Sequence, residues 1–100
     1  MRSVALAVCV LALGVALPVR ASEALYREKS CPACHEVKKR VVGPAYEEVA
    51  RKYRPMPDGE ARIVDSILNG SAKKWGSIRM YPNGVTPEEA RQLAAWILTL

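Results

Sequence analysis

Apolar residues recur along this chain at three- and four-residue intervals, and nowhere do they alternate with polar ones over the length of a strand. In PAYEEVARKY, residues 44–53, Tyr46, Val49, Ala50 and Tyr53 fall at i, i+3, i+4 and i+7, opposite Glu47, Glu48, Arg51 and Lys52. That stripe predicts a helix with one buried face. Residues 60–69 repeat it with Ile63, Val64, Ile67 and Leu68 inward, and Gly70 follows as a left-handed stop. Near the end, Thr86, Pro87 and Glu89 make a capping box with proline at the first helical position. Ala90, Leu93, Ala94, Ile97 and Leu98 form the apolar face that follows, with Trp96 beside it. A first helix runs through EALYREKSC with Ser22 as its cap. Gly43 stops the next segment, Pro44 takes the first turn of the second helix, and the breaker cluster RPMPDGE leaves Met56 in a short exposed link. The class is all-α.

Two stretches depart from this periodicity. The first opens the chain: Arg2, an apolar run over residues 4–17, and a small-residue exit at Val19 and Ala21 around Arg20. This is the pattern of a secretory signal peptide cleaved after Ala21, which makes residues 22–100 one exported domain. A retained membrane anchor is the alternative, but no second apolar span follows. Cys9 follows Val8 rather than the small residue a lipid-attachment site needs. The second stretch, residues 71–85, has no repeating apolar pattern yet carries Trp75, Ile78, Met80 and Tyr81. A loop this long and this apolar is expected to be functional and to lie buried against something.

Composition sharpens that expectation. Loss of Arg2 and Arg20 with the leader takes the basic count from 15 to 13 against 10 acids, so the net charge falls from +5 to +3. That excess does not suit a nucleic-acid binder, which clusters more positive charge on one face. The remaining chain has no Phe, and its aromatics are two Trp and four Tyr. Domains this short commonly lean on a disulfide, a metal or a cofactor for stability.

The candidate chemistry sits in CPACH, where Cys31, Cys34 and the single histidine, His35, fall within five positions. A structural zinc site needs four ligands, and after cleavage there is no third cysteine and no second histidine to supply them. A thioredoxin-like dithiol belongs beside a parallel sheet, for which the chain has no strands. An ordinary disulfide is possible in an exported protein but leaves His35 and the 71–85 loop unexplained. C-x-x-C-H is also the signature of covalent c-type haem attachment. Cysteines at i and i+3 project from one side of a turn toward the two vinyl groups on one porphyrin edge, and the next residue turns its imidazole to the iron. Two methionines could stand on the other side. Met56 lies between two prolines 21 residues after His35, and Met80 lies in the apolar loop 45 residues after it. A His/Met pair suits electron transfer, whereas an open sixth position suits gas binding or peroxide chemistry.

CPACHEVKKRVVGPAYEEVARKY and ILNGSAKKWGSIRMYPNGVTPEEARQLAAWIL, at this separation, resemble the small bacterial class I cytochromes c. These are short periplasmic monohaem carriers that serve nitrite reductases and terminal oxidases, and the similarity covers essentially the whole of residues 22–98. It implies four to five short helices wrapped round one covalent haem c. It further implies thioether bonds at Cys31 and Cys34, with His35 and Met80 as the axial iron ligands. Pro44 matches the residue whose carbonyl accepts a hydrogen bond from the proximal imidazole, and Trp75 the one whose indole N–H meets a haem propionate. Asn83 matches the side chain that steadies the methionine loop, while Tyr26 and Trp96 match the contact between first and last helices. Ser77 and Arg79 stand where relatives often carry prolines, which implies a less rigid Met80 loop. Ser66 stands where relatives often place Arg or His near a propionate.

The expected function is therefore a periplasmic electron carrier and not an enzyme, with no nucleic acid and no small-molecule substrate. The alternative is a haem-based sensor or peroxidase-like enzyme in which Met80 is displaced. Lys38, Lys39, Arg40, Lys73, Lys74 and Arg79 recur near the expected haem edge. They would form a docking rim for acidic faces of redox partners, a donor such as a cytochrome complex and an acceptor such as a terminal oxidase or nitrite reductase.

Overall fold

The computed structural model describes residues 19–100. It has four α-helices, α1 (Val19–Glu28), α2 (Tyr46–Tyr53), α3 (Gly59–Asn69) and α4 (Pro87–Ile97), with a 3-10 turn at Cys31–Ala33. Among the described residues there is no strand, only an isolated antiparallel bridge between Ser71 and Met80. No described helix is long and apolar enough to cross a membrane. Of the expected signal peptide, residues 1–18 lie outside the described residues.

The periodic stripes face inward as their spacing predicts. Tyr46, Val49, Ala50 and Tyr53 of α2 are buried, as are Ile63 and Ile67 of α3. Val64 and Leu68 pack against the same core from partly buried positions. α4 packs against α1, α2 and α3 alike, and Ala90, Leu93 and Ala94 are at most 1 % exposed. Removing that much apolar surface from water is the main force holding so small a domain together. Tyr26 on α1, Tyr46 on α2 and Trp96 on α4 meet with ring centroids 5.5–5.9 Å apart, in tilted and edge-on geometries that aromatic pairs favour. The expected contact of first and last helices is thus in place.

The helix ends show where local rules held and where tertiary demands overrode them. The α4 box is complete: Thr86 Oγ1 accepts from Glu89 N–H at 3.1 Å and Glu89 Oε1 accepts from Thr86 N–H at 2.9 Å. The far end of α4 is tied to the end of α2 by Arg54, which donates to the carbonyls of Leu98 (3.0 Å) and Leu100 (3.1 Å). Leu98 is the C-cap of α4, whose carbonyl a helix end leaves without a partner. Three expectations need correction. α1 begins at Val19, so Ser22 lies inside it and is not its cap. Pro44 does not open α2; Ala45 is the N-cap and Pro44 precedes it, because its carbonyl is engaged elsewhere. Met56 is not simply exposed but packs, partly buried, against the core.

Candidate functional site

The chain leaves α1 through Ser30, which takes a left-handed conformation (φ 60°) and turns the backbone into the 3-10 helix. Cys34 N–H and His35 N–H both donate to the Cys31 carbonyl, at 3.1 and 2.9 Å, so the motif is one tight turn. Both thiols are free, with Cys31 half-buried and Cys34 exposed. Burial pushes the Cys31 thiol up, opposed by the Tyr46 hydroxyl beside it, which suits it poorly to thiolate exchange.

Apart from the tyrosines and Trp96, His35 is the one buried side chain with polar atoms among the described residues. Two contacts fix its ring and a third fixes its backbone. Nδ1 pairs with the Pro44 carbonyl at 2.8 Å, the ring stacks on Tyr46 at 5.0 Å and 24°, and Tyr26 donates its hydroxyl to the His35 carbonyl at 2.6 Å. The fourth constraint is Gly43: a Cβ there would stand 2.5 Å from His35 Cε1 and 2.9 Å from Nδ1. Since a carbonyl can only accept, Nδ1 carries the proton and Nε2 is the ring nitrogen with a free lone pair. Burial lowers the His35 pKa, against an opposing contribution from the Pro44 bond, so the imidazole is neutral as a metal ligand must be.

Met80 is held from the other direction. Ser71 and Met80 exchange two backbone hydrogen bonds, Ser71 N–H to Met80 O at 2.9 Å and Met80 N–H to Ser71 O at 2.8 Å. Gly70 makes the approach possible: its φ is +80°, and a Cβ would lie 2.5 Å from the Met80 carbonyl oxygen. That pairing fixes the backbone from which the Met80 side chain reaches the cavity.

These two anchors face one cavity of about 470 Å³, within the range of small-molecule and cofactor sites. Cys31, Cys34, His35, Pro44, Trp75, Met80 and Asn83, named from sequence as site residues, all line it. Val49, Ile63, Ile67 and Ile97 supply an apolar wall. Ser66 also borders it. Of the expected docking residues, Arg40, Lys73, Lys74 and Arg79 border the cavity, whereas Lys38 and Lys39 are exposed away from it and Lys39 pairs with Glu36 at 3.7 Å. Trp75 is half-buried, edge-on to Tyr53 with Lys52 Nζ 4.7 Å above its ring.

The 71–85 loop corrects one expectation. It is not buried throughout: Ile78 is 66 % and Tyr81 69 % exposed, because the loop is a wall of the cavity rather than a layer of the core. Sequence reasoning missed three residues with site roles. From sequence Gly43 and Gly70 are legible only as stops, because the close approaches that require glycine there are tertiary. Arg40 is expected from sequence only as part of a docking rim, yet its guanidinium bonds the Trp75 carbonyl and Glu48.

The donor set is one neutral imidazole and one thioether, with two free thiols at the same cavity. Among the described residues no three His, Cys, Asp or Glu side chains gather to hold a bare metal ion. An apolar cavity with a nitrogen donor, a soft sulfur donor and thiols for covalent attachment fits an iron porphyrin.

Comparison with known proteins points the same way. Residues 19–100 match the family model described as Cytochrome c. The chain is 54 % identical over 78 residues to cytochrome c-551 of Pseudomonas denitrificans, covering 78 % of this chain and 95 % of that protein. It is 43 % identical over 88 residues to cytochrome c-552 of Hydrogenobacter thermophilus, covering 88 % and 90 %. The crystal structure of wild-type Nitrosomonas europaea cytochrome c552 superposes with a TM-score of 0.75 at 41 % identity, over 77 % of this chain and 96 % of that one. In sequence and in fold alike the chain belongs to the cytochrome c family, and with that membership come covalently bound haem c and the role of electron carrier rather than enzyme.

Proposed function

We propose that this protein is a periplasmic monohaem electron carrier with thioethers at Cys31 and Cys34 and axial ligation by His35 and Met80. The observation that carries this reading is the convergence of those four side chains on one apolar cavity. When bound, haem c supplies a one-electron couple between ferrous and ferric iron. The protein's share is to hold the ligands still and keep water out. His35 offers Nε2 while the Pro44 carbonyl fixes its tautomer and raises its basicity. Met80 offers a soft sulfur, which together with the apolar wall favours the reduced state. Trp75 is assigned to a haem propionate through its indole N–H, and Asn83 to steadying the Met80 loop.

Residues 1–21 are assigned as a cleaved signal peptide, which delivers residues 22–100 to the periplasm. Lys73, Lys74 and Arg79, exposed at the cavity mouth, with Lys38 and Lys39 farther out, form a rim that suits acidic partners, a donor such as a cytochrome complex and an acceptor such as a terminal oxidase or nitrite reductase. The alternative, a sensor or peroxidase-like enzyme, requires Met80 to leave; the paired backbone bonds to Ser71 favour the carrier.

An absorption spectrum tests the reading. A Soret band that survives acid-acetone extraction is expected for haem attached at Cys31 and Cys34. The near-infrared methionine-to-ferric charge-transfer band is expected with Met80 present and absent in Met80→Ala. A wild-type ferric protein without that band would overturn the His/Met assignment.

A further inference from the structure

We propose that Arg40 is a positioning residue for Met80: its guanidinium pins the Met80 loop across the cavity mouth and sets how readily that loop opens. This rests on Met80 being an axial ligand. Arg40 stands on the segment between His35 and Gly43. Its Nη1 donates to the Trp75 carbonyl at 2.9 Å, and its Nη2 reaches Glu48 Oε2 on α2 at 3.4 Å. One planar group thereby joins three pieces of chain: the segment after the cysteine motif, α2, and the loop bearing Met80. The fork geometry of arginine allows two directed bonds at once, which a lysine cannot reproduce. Glu48 holds the guanidinium in register for the carbonyl, and the pair is partly exposed, with side chains 49 % and 32 % accessible.

The loop needs such a tether. Beyond the Ser71 bridge at its two ends, its middle has little support. Gly76, Ser77 and Ile78 form part of the cavity wall, and no hydrogen bond ties them to any of the described helices. Trp75 is the one loop residue before Met80 that is gripped from outside the loop, at its carbonyl by Arg40 and at its ring by Lys52. Opening that releases the thioether is a local unfolding event, and its free energy is set by the few contacts it breaks. Loss of one charge-assisted hydrogen bond at a partly exposed site shifts such an equilibrium by about three- to tenfold.

The experiment uses the ferric holoprotein and added imidazole, which binds only when Met80 has left. Arg40→Met is expected to bind imidazole about three- to tenfold more tightly than wild type, and to lose the near-infrared band at a lower temperature. Arg40→Lys, which keeps the charge and a donor group but not the planar fork, is expected to recover part of this. Native-state hydrogen exchange separates positioning from general destabilisation: the Met80 and Ser71 amides are expected to exchange faster in Arg40→Met, while the amides of α4 keep their protection. Wild-type imidazole affinity in Arg40→Met, or α4 amides accelerated as much as that of Met80, would overturn the proposal. Absence of the band in wild type would instead overturn the ligand assignment on which it rests.

Discussion

At Gly43 the imidazole of His35 occupies the space where a Cβ would stand, with Cε1 only 2.5 Å from that point. Gly43→Ala must therefore move the ring or the backbone, and overpacking of this kind typically costs about 1–3 kcal/mol. The holoprotein is expected to unfold at a lower guanidinium midpoint with an unchanged slope. Gly70→Ala meets a double obstacle, φ +80° and the Met80 carbonyl, so it is expected to weaken the near-infrared band even where the fold survives. These two glycines show what was and was not legible at this scale. Glycine at a chain reversal can be read from sequence, but what crowds it depends on a ring or carbonyl many positions away. The same holds for Arg40, whose partner Trp75 is 35 residues distant. Cys31, Cys34 and His35, by contrast, act within one turn, so their grouping is legible from adjacency, although choosing among its chemistries also took the distant Met80 loop.

Among the elements, α4 is the one whose sequence most fully specifies it, because its box, its proline and its apolar face are all local. Thr86→Ala is expected to cost about 1 kcal/mol, read from the shift in urea midpoint at neutral pH. Glu89 gives the same cap a pH dependence. Its carboxyl titrates below the ordinary glutamate range, chiefly because the Thr86 backbone N–H donates to it, with the Thr86 hydroxyl and Lys29 adding to the effect. The unfolded chain therefore takes up this proton more readily than the folded one. The stabilisation is present at neutral pH and is lost as pH falls below the ordinary glutamate range and through the depressed folded value. Glu89→Gln keeps an acceptor for Thr86 but cannot titrate, so stability measured against pH is expected to fall less steeply on the acid side than in wild type. α2 was legible in its buried stripe but not in its start. Pro44 suits the first turn of a helix by local rules, and it lies outside because His35 takes its carbonyl.

For the whole molecule, the helices enclose a cavity as much as a core, and α2, α3 and the 71–85 loop meet across it. A Cys31→Ala, Cys34→Ala chain lacking haem is expected to be largely unfolded, since the apolar side chains of that wall would face water. A cooperative far-UV melt from it would contradict this. Charge acts at the same scale. Electron exchange with an acidic partner protein is expected to slow as ionic strength rises, followed by stopped flow, and a flat response would remove the basic rim from recognition. The bridge between Ser71 and Met80 has a consequence for how such a carrier diversifies. It secures the backbone of Met80 from Gly70 and Ser71, on the α3 side, while Arg40 steadies the span between through Trp75. The exposed side chains of that span, Lys73, Lys74 and Arg79 among them, can be exchanged or recharged while the backbone bonds that hold Met80 stay in place. Selection can thus rewrite the face a partner meets without touching the couple it carries.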